Sequence, residues 1–394
     1  MQLAELMSRK SFSPLRVALI VETSASYGRG LLQGILRYMR LHNEWSVFLE
    51  QRDLQAKPPS WLATWDGDGI LSRATTPQLA DAVIATGVPL VELTDRGCDY
   101  GFVSVRSNDR AIGRAAASHL LERGFQRFGF CGFTEEAWSD RRQAGFVEQL
   151  ATAGFDCQIY RSPWHGATLR PWEDEKQRLA LWLKQQERPL GIMACNDMRA
   201  QHVLNACAGQ QLSVPEEVAV VGVDNDDLLC QMCSPPLSSV IPNAEGVGYC
   251  GAELLDALMR GETVERDHLI EPLGIATRQS TDVVAIDDPE VAAALSFIRE
   301  NACRGITVAD VTRNVPVSRS TLERQLRKYL GRTPQQEIRY VQIKRIRELL
   351  ATSDFTAERI ATMCGFEHPE YMHVVFKRQM GMTPGDYRRT AKPS

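Results

Sequence analysis

Six side chains suited to gripping a small neutral ligand fall just beyond short apolar runs of this 394-residue chain. Tyr27 follows residues 16–22 (RVALIVE), Trp138 and Arg142 follow residues 128–132, Asn196 and Asp197 follow residues 191–194, and Asp224 follows residues 218–223. Each carboxylate or amide can engage two hydroxyl groups, and an aromatic face suits the C–H surface of a polyol. With one cation among six, the set fits an uncharged sugar better than a sugar phosphate. Taken singly, Asp197 and Asp224 read as helix caps, Trp138 as core and Arg142 as a surface ion pair. Their common position at run ends favours a pocket. The two aspartates could also be imagined as the acid and nucleophile of a glycosidase, which needs two carboxylates about 5 or 6.5 to 9.5 Å apart. No Gly-rich phosphate loop, nucleophile elbow or metal-ligand spacing accompanies them, so no enzyme, cofactor or metal site is expected.

The runs that carry these residues are short and continuously apolar, the pattern of strands buried on both faces of a parallel sheet. A helical pattern through Leu31, Ile35 and Met39 follows the first, further strands are expected at 47–50, 69–71 and 90–93, and Asn108 or Asp109 caps a helix to Arg123. In open parallel sheets ligands bind beyond the carboxyl ends of the strands, where the six candidates fall. Roughly 275 residues of this alternation predict two such sheets. Gly28, Gly30 and Gly34 lack dinucleotide-fingerprint spacing and are read as sites of close helix packing. Cys230 and Cys233 form a lone CxxC without a second pair or a histidine at zinc spacing, and are read as buried thiols.

The last ninety or so residues contain a repeat. At an offset of 50, Leu322, Leu326, Arg327, Lys328, Gly331, Thr333 and Pro334 fall on Met372, Phe376, Lys377, Arg378, Gly381, Thr383 and Pro384. Each copy reads as a short helix, a tight turn and a longer basic helix: Thr307 to Arg313 then Ser318 to Leu330, and Thr356 to Met363 then Pro369 to Met380. That is the arrangement of a helix-turn-helix, whose second helix enters the major groove. Between the copies Pro334 opens a helix with an apolar stripe through Ile338, Val341, Ile346 and Leu349. A rod of that length, roughly 24 Å at 1.5 Å per residue, could set two readers in successive grooves about 34 Å apart.

Charge divides the same way. From Asp288 onward there are 18 Lys and Arg against 12 Asp and Glu, whereas the upstream part has 27 against 37. A cationic segment on an anionic chain is the footprint of phosphate contact. No apolar run approaches the roughly 20 residues that cross a bilayer, and residues 1–14 lack a signal-peptide pattern, so a cytoplasmic protein without a membrane partner is expected.

Two resemblances follow from these residues. The run Ser318 to Lys328 (SRSTLERQLRK), Cys364-Gly365-Phe366, and Gly381 to Arg388 (GMTPGDYR) resemble the AraC/XylS class of transcription regulators. That resemblance places base-reading positions at Ser320, Glu323 and Arg324 in the first recognition helix. In the second it places them at Pro369, Glu370 and Val374, where His373 shares the role and Val374 departs from the usual polar residue. Arg319, Arg327, Lys328 and Lys377 complete the candidate DNA-binding set. Asp109 to Gly113, His119, Gly145-Phe146, Asn196-Asp197, Gly222 to Asn225 and Pro236 to Val240 are similar to the periplasmic-binding-protein-like sensor of the LacI family, two doubly wound lobes around a sugar cleft. Its effector positions carry over to Arg142 and Asp224, with Asp197 at or beside a third. A LacI-like sensor ahead of an AraC-like reader resembles the regulators of xylose operons. This implies D-xylose or a related sugar as effector, a homodimer, activation, and contact with RNA polymerase; another sugar or a purine stays open as effector. The expected layout is a tail at 1–15, a sensor at 16–275, a polar linker at 276–287, and a reader at 288–394 with units at 307–330 and 356–380.

Overall fold

The computed structural model describes residues 14–42, 45–50, 59–73, 75–94, 97, 99–164, 171–282, 286 and 288–391. The first lobe is wound from β1 (Arg16–Ile20), α1 (Ser26–Leu41), β2 (Ser46–Leu49), β3 (Gly69–Ser72), α2 (Pro77–Thr86), β4 (Leu90–Glu92) and β5 (Val103–Ser107). The chain then crosses to a second lobe of α3 (Asp109–Leu121), β6 (Arg127–Thr134), α4 (Ala137–Thr152), β7 (Cys157–Pro163), α5 (Trp172–Lys184), β8 (Leu190–Ala194), α6 (Asp197–Gly209), β9 (Val218–Val223), α7 (Asp227–Met232) and β10 (Ser238–Ile241). It returns to the first lobe for α8 (Ala244–Met259) and β11 (Asp267–Ile270), and crosses a third time into β12 (Gly274–Ala276).

The sheet orders are β2-β1-β3-β4-β5-β11 and β7-β6-β8-β9-β10-β12, parallel except that β12 runs antiparallel to β10. Strands β3, β8 and β9 are buried along their whole length, which is why they read as unbroken apolar runs. The three crossings lie side by side: the Asn108 amide donates to the Ile270 carbonyl (2.8 Å), the Leu273 amide to that of Ile241 (2.9 Å), and Asn108 Nδ2 to Glu271 Oε1 (2.7 Å). Helix α1 packs on α8 so closely that a Cβ at Gly34 would collide with the Glu245 carbonyl and one at Gly30 with the Ala244 side chain, while one at Gly28 would strike the carbonyl of Glu22 in the loop before α1. The glycine pattern thus serves helix contact.

The reader comprises α9 (Pro289–Asn301), α10 (Val308–Asn314), α11 (Arg319–Leu330), α12 (Pro334–Thr352), α13 (Ala357–Met363), α14 (Pro369–Met380) and α15 (Pro384–Ala391). The repeat has a structural cause at each position. Leu322 and Met372, and Leu326 and Phe376, are fully buried in the two unit cores. Gly331 and Gly381 end their helices in the left-handed region, at φ of 67° and 72°, where a side chain would be strained. Thr333 and Thr383 then cap the next helix through Oγ1 to the amides of Gln336 and Asp386. Helix α12 belongs to both cores: Ile338 packs in the first, Ile343, Ile346 and Leu350 in the second. Gln342 Nε2 also donates to the Ala302 carbonyl (2.9 Å). At the turn of the second unit, a Cβ on Gly365 would collide with the backbone of Gly305.

Two expectations change. Strands β5, β7, β10, β11 and β12 are additional to those read from sequence. The stretch foreseen as a polar linker is built into the second lobe over its first half: Ala276 ends β12, Ser280 and Thr281 are fully buried, and Ser280 Oγ donates to the Val220 carbonyl (2.6 Å). Residues 283–285 and 287 of that stretch, and 1–13 of the tail, lie outside the described residues. Among the described residues no helix is long and apolar enough to cross a membrane.

Candidate functional site

Where the carboxyl ends of the two sheets face each other, four of the six candidates converge. Arg142, on α4 and almost fully buried, donates from Nε to Asp109 Oδ1 (3.0 Å) and from Nη1 to the Cys195 carbonyl (2.7 Å), with Nη1 3.6 Å from Asp224 Oδ1. Its guanidinium lies 4.9 Å from the Trp138 ring centroid. Burial alone would lower the Arg142 pKa, but the Asp224 and Asp109 carboxylates hold it above the ordinary value. Burial raises that of Asp224, against the pull of Arg142 and Arg73. Asp224 and Asn225 have φ of 105° and 49°, so two successive non-glycine residues sit in the left-handed half of backbone space. Strain of roughly 1–3 kcal/mol per such residue is retained where it positions functional groups.

The opposite wall comes from the first lobe. Tyr27 Oη hydrogen-bonds Ser107 Oγ at 2.8 Å, and burial pushes the phenol up to about 12. Arg73, ion-paired to the buried Glu22, lies with its guanidinium 4.6 Å from the Tyr27 ring centroid, near enough for its charge to act on Asp224. Trp138 stands edge-on to Trp164, which stacks on Phe133 with centroids 5.2 Å apart. The result is a polar floor of alternating charge beside an aromatic wall.

Asn196 and Asp197 are turned to other work. Asn196 Oδ1 caps α6 by accepting from the Arg199 amide (2.8 Å). Asp197 accepts from Ser239 Oγ (2.6 Å), the Asp226 amide (2.8 Å) and Cys230 Sγ (3.4 Å), so both oxygens are engaged behind the loop that carries Asp224. Burial, seconded by Asp224, raises the Asp197 pKa to about 7. Burial likewise raises both thiols of the CxxC, Cys233 to about 11, so they stay protonated.

Sequence reading missed Asp109 as a site residue. Of the two residues offered as caps, Asn108 is the cap, and Asp109 bridges Arg142 to Arg141, whose Nε donates to Oδ2 at 3.0 Å. It also missed Ser107, Arg73 and Glu22. Ser107 and Asp109 lie at the end of β5, a strand the sequence pattern does not announce, so the rule that found the other candidates could not reach them.

In the reader, the outer faces of α11 and α14 present the expected set. Arg319, Ser320, Arg324, Arg327 and Lys328 are exposed and Glu323 half-buried on α11; Glu370, His373, Val374 and Lys377 are exposed and Pro369 half-buried on α14. Arg319 Nε donates to Glu323 Oε1 at 3.1 Å.

Comparison with known proteins yields matches to both halves. Residues 117–281 match the periplasmic binding protein-like domain family, and residues 311–390 match a helix-turn-helix domain family. The chain is 30% identical to the xylose operon regulatory protein of Escherichia coli K12 over 387 residues, covering 95% of this chain and 96% of that one. It is 31% identical to the xylose operon regulatory protein of Haemophilus influenzae over 382 residues, covering 95% and 98%. A solved structure of a xylose-binding transcription activator superposes with a TM-score of 0.80 at 29% identity, covering 96% of this chain and 99% of that one.

Proposed function

The chain belongs to the family of xylose operon regulatory proteins, and from that membership we propose that it is a cytoplasmic, sugar-gated transcription regulator whose effector is D-xylose. The observation that carries this reading is the convergence of Arg142, Asp224 and Trp138 from one lobe with Tyr27 and Arg73 from the other. In this reading, Arg142 and Asp224 donate to and accept from vicinal hydroxyls, and Trp138 covers the C–H face of the pyranose. Because the pocket draws on both lobes, sugar favours the arrangement in which they close, and that differential affinity is the only means by which it can shift the population.

In this reading Ser320, Glu323 and Arg324 of α11, and Pro369, Glu370 and His373 of α14, meet base edges. Arg319, Arg327, Lys328 and Lys377 neutralise phosphates. The exposed Val374 offers an apolar contact for a thymine methyl. We take the regulator to be a homodimer that activates by contacting RNA polymerase, as the family resemblance implies.

The test is a thermal melt across D-xylose, L-arabinose, D-ribose, hexoses, sugar phosphates and purines. Ligand at a hundred times its dissociation constant adds about 2.7 kcal/mol to the folded state. A rise with D-xylose supports the reading; a rise only with another compound replaces the effector; no rise with any removes it.

A further inference from the structure

The residues just after β12 touch the effector loop at one end and the reader at the other. Arg278 Nη2 donates to Asn225 Oδ1 (2.9 Å) and lies 3.3 Å from Asp227 Oδ1, while Nη1 donates to the Leu237 carbonyl (2.9 Å). Asn225 directly follows Asp224. Four residues beyond Arg278, Asp282 accepts from Lys344 Nζ of α12 at 2.7 Å. The intervening Ser280 and Thr281 are fully buried, so this is a rigid bar.

Strand β10 holds that bar on one face and the effector loop on the other, because successive side chains of a strand point opposite ways. Ser239 Oγ donates to Asp197 and accepts from the Asn225 amide. Its neighbour Ser238 exchanges hydrogen bonds with the Arg278 backbone through Oγ and accepts from Thr281 Oγ1 (2.7 Å). His119 Nε2 pairs with Thr281 Oγ1 at 2.8 Å, and Arg123 Nε donates to the Thr281 carbonyl at 2.7 Å. Beyond the bar, the reader stands off from the sensor across two clefts of about 630 and 890 Å³. Gln279, Asp282, Tyr340 and Lys344 line both, so the Asp282–Lys344 pair forms the rib between them. Two further pairs tie α9 to the second lobe, Arg299 Nε to Glu216 Oε1 (3.1 Å) and Ser296 Oγ to Ser213 Oγ (3.0 Å). Of these three contacts the bar is the one that begins at the effector loop, so a movement of that loop reaches α12 through it.

We propose that residues 278–282 transmit effector occupancy to the reader, with Arg278 the positioning residue that registers the Asp224–Asp227 loop and Lys344 the residue that receives it. This rests on the sugar-gated reading above and names how that pocket regulates DNA binding.

The test uses the full-length protein and its Arg278→Ala and Lys344→Ala variants. D-xylose affinity is measured by calorimetry. Affinity for duplexes that the wild type selects from a randomised pool is measured with and without D-xylose. Allosteric coupling changes affinity by roughly 5- to 150-fold in typical cases. We expect both variants to bind D-xylose within about threefold of wild type and to bind the duplex, but with the coupling factor reduced to about one. A wild-type coupling factor in both variants overturns the proposal, as does wild-type D-xylose binding that leaves DNA affinity unchanged. Should Arg278→Ala fold poorly, Lys344→Ala decides, since its partly exposed pair can be broken without opening the sensor core. If the wild type binds no D-xylose, the functional reading fails while the transmission bar is still judged. Hydrogen exchange of unliganded Arg278→Ala should then quicken in both 224–227 and α12, and quickening in only the first overturns the bar.

Discussion

Arg142 is held between two carboxylates that do different jobs: Asp109 fixes its Nε at 3.0 Å, and Asp224 stands 3.6 Å from its Nη1 with an exposed edge left for a ligand. Truncating Asp224 removes a charged acceptor without disturbing the Asp109 pair. Hydrogen bonds to charged groups contribute about 1.5–3 kcal/mol, so Asp224→Ala should weaken D-xylose roughly 10- to 150-fold. At the same sugar concentration its stabilisation should fall from about 2.7 to between about 0.3 and 1.4 kcal/mol. Duplex binding without sugar should persist. An undiminished sugar response in this variant would place the pocket elsewhere.

Arg142→Ala has a larger structural effect. It leaves Asp109 and Asp224 without their shared buried cation, a loss of the kind that costs about 3–5 kcal/mol. Urea unfolding should show this as a lower midpoint at unchanged slope, whereas Asp224→Ala should move the midpoint far less.

Asp197 makes stability depend on pH in a stated direction. Its folded pKa of about 7 lies above the ordinary carboxylate value, because burial and Asp224 both disfavour its charge. The folded state therefore holds a proton that the unfolded state releases, and stability falls as pH rises from about 4 to 7. The titratable groups facing this carboxyl are Asp224, which carries the charge, and the thiols of Cys230 and Cys233, which stay protonated and neutral. Asp197→Asn keeps the shape and removes the charge, so the melting temperature should lose most of its decline over that range. A parallel decline in both proteins would contradict the assignment.

The two recognition helices should separate base reading from phosphate contact. Arg324→Ala is expected to cost about 1–3 kcal/mol and to relax preference at one base position. Lys328→Ala should weaken all duplexes alike and reduce the slope of log affinity against log salt by about one. Selection from a randomised pool, repeated at several salt concentrations, distinguishes the two.

Gly365 sits in the left-handed region at φ 75°, with no room for a Cβ against Gly305. Gly365→Ala should therefore force the second unit away from the first. Footprints should shorten to one half-site, while the D-xylose melting response of the sensor is preserved.

The reader was the most legible part, because its helices announce themselves by local means: caps at Thr307, Ser318 and Thr356, left-handed glycines at 331 and 381, and a period that buries Leu322 and Leu326. Strands β8 and β9 were legible for the same reason, being apolar throughout. Strand β7 was not, since it lies at the sheet edge, where the exposed Gln158 and Arg161 interrupt the apolar run. The site was half legible. Position after a strand was enough to nominate Arg142 and Asp224, but Asp109 was hidden behind the unread strand β5. Which oxygen of Asp197 meets Ser239, 42 residues away, is decided by how β9 and β10 pair, and no local pattern carries that.

Because α12 supplies buried side chains to both unit cores, the two reading heads of one chain form a single rigid gauge. Duplex DNA turns about 35° per base pair, given 10 to 10.5 base pairs per turn. Inserting or deleting one base pair between paired half-sites therefore rotates the second out of angular register with its head as well as displacing it along the axis. The pair of half-sites read by one chain is thereby a phase-locked doublet, whose internal spacing cannot drift by a base pair without losing one of its heads.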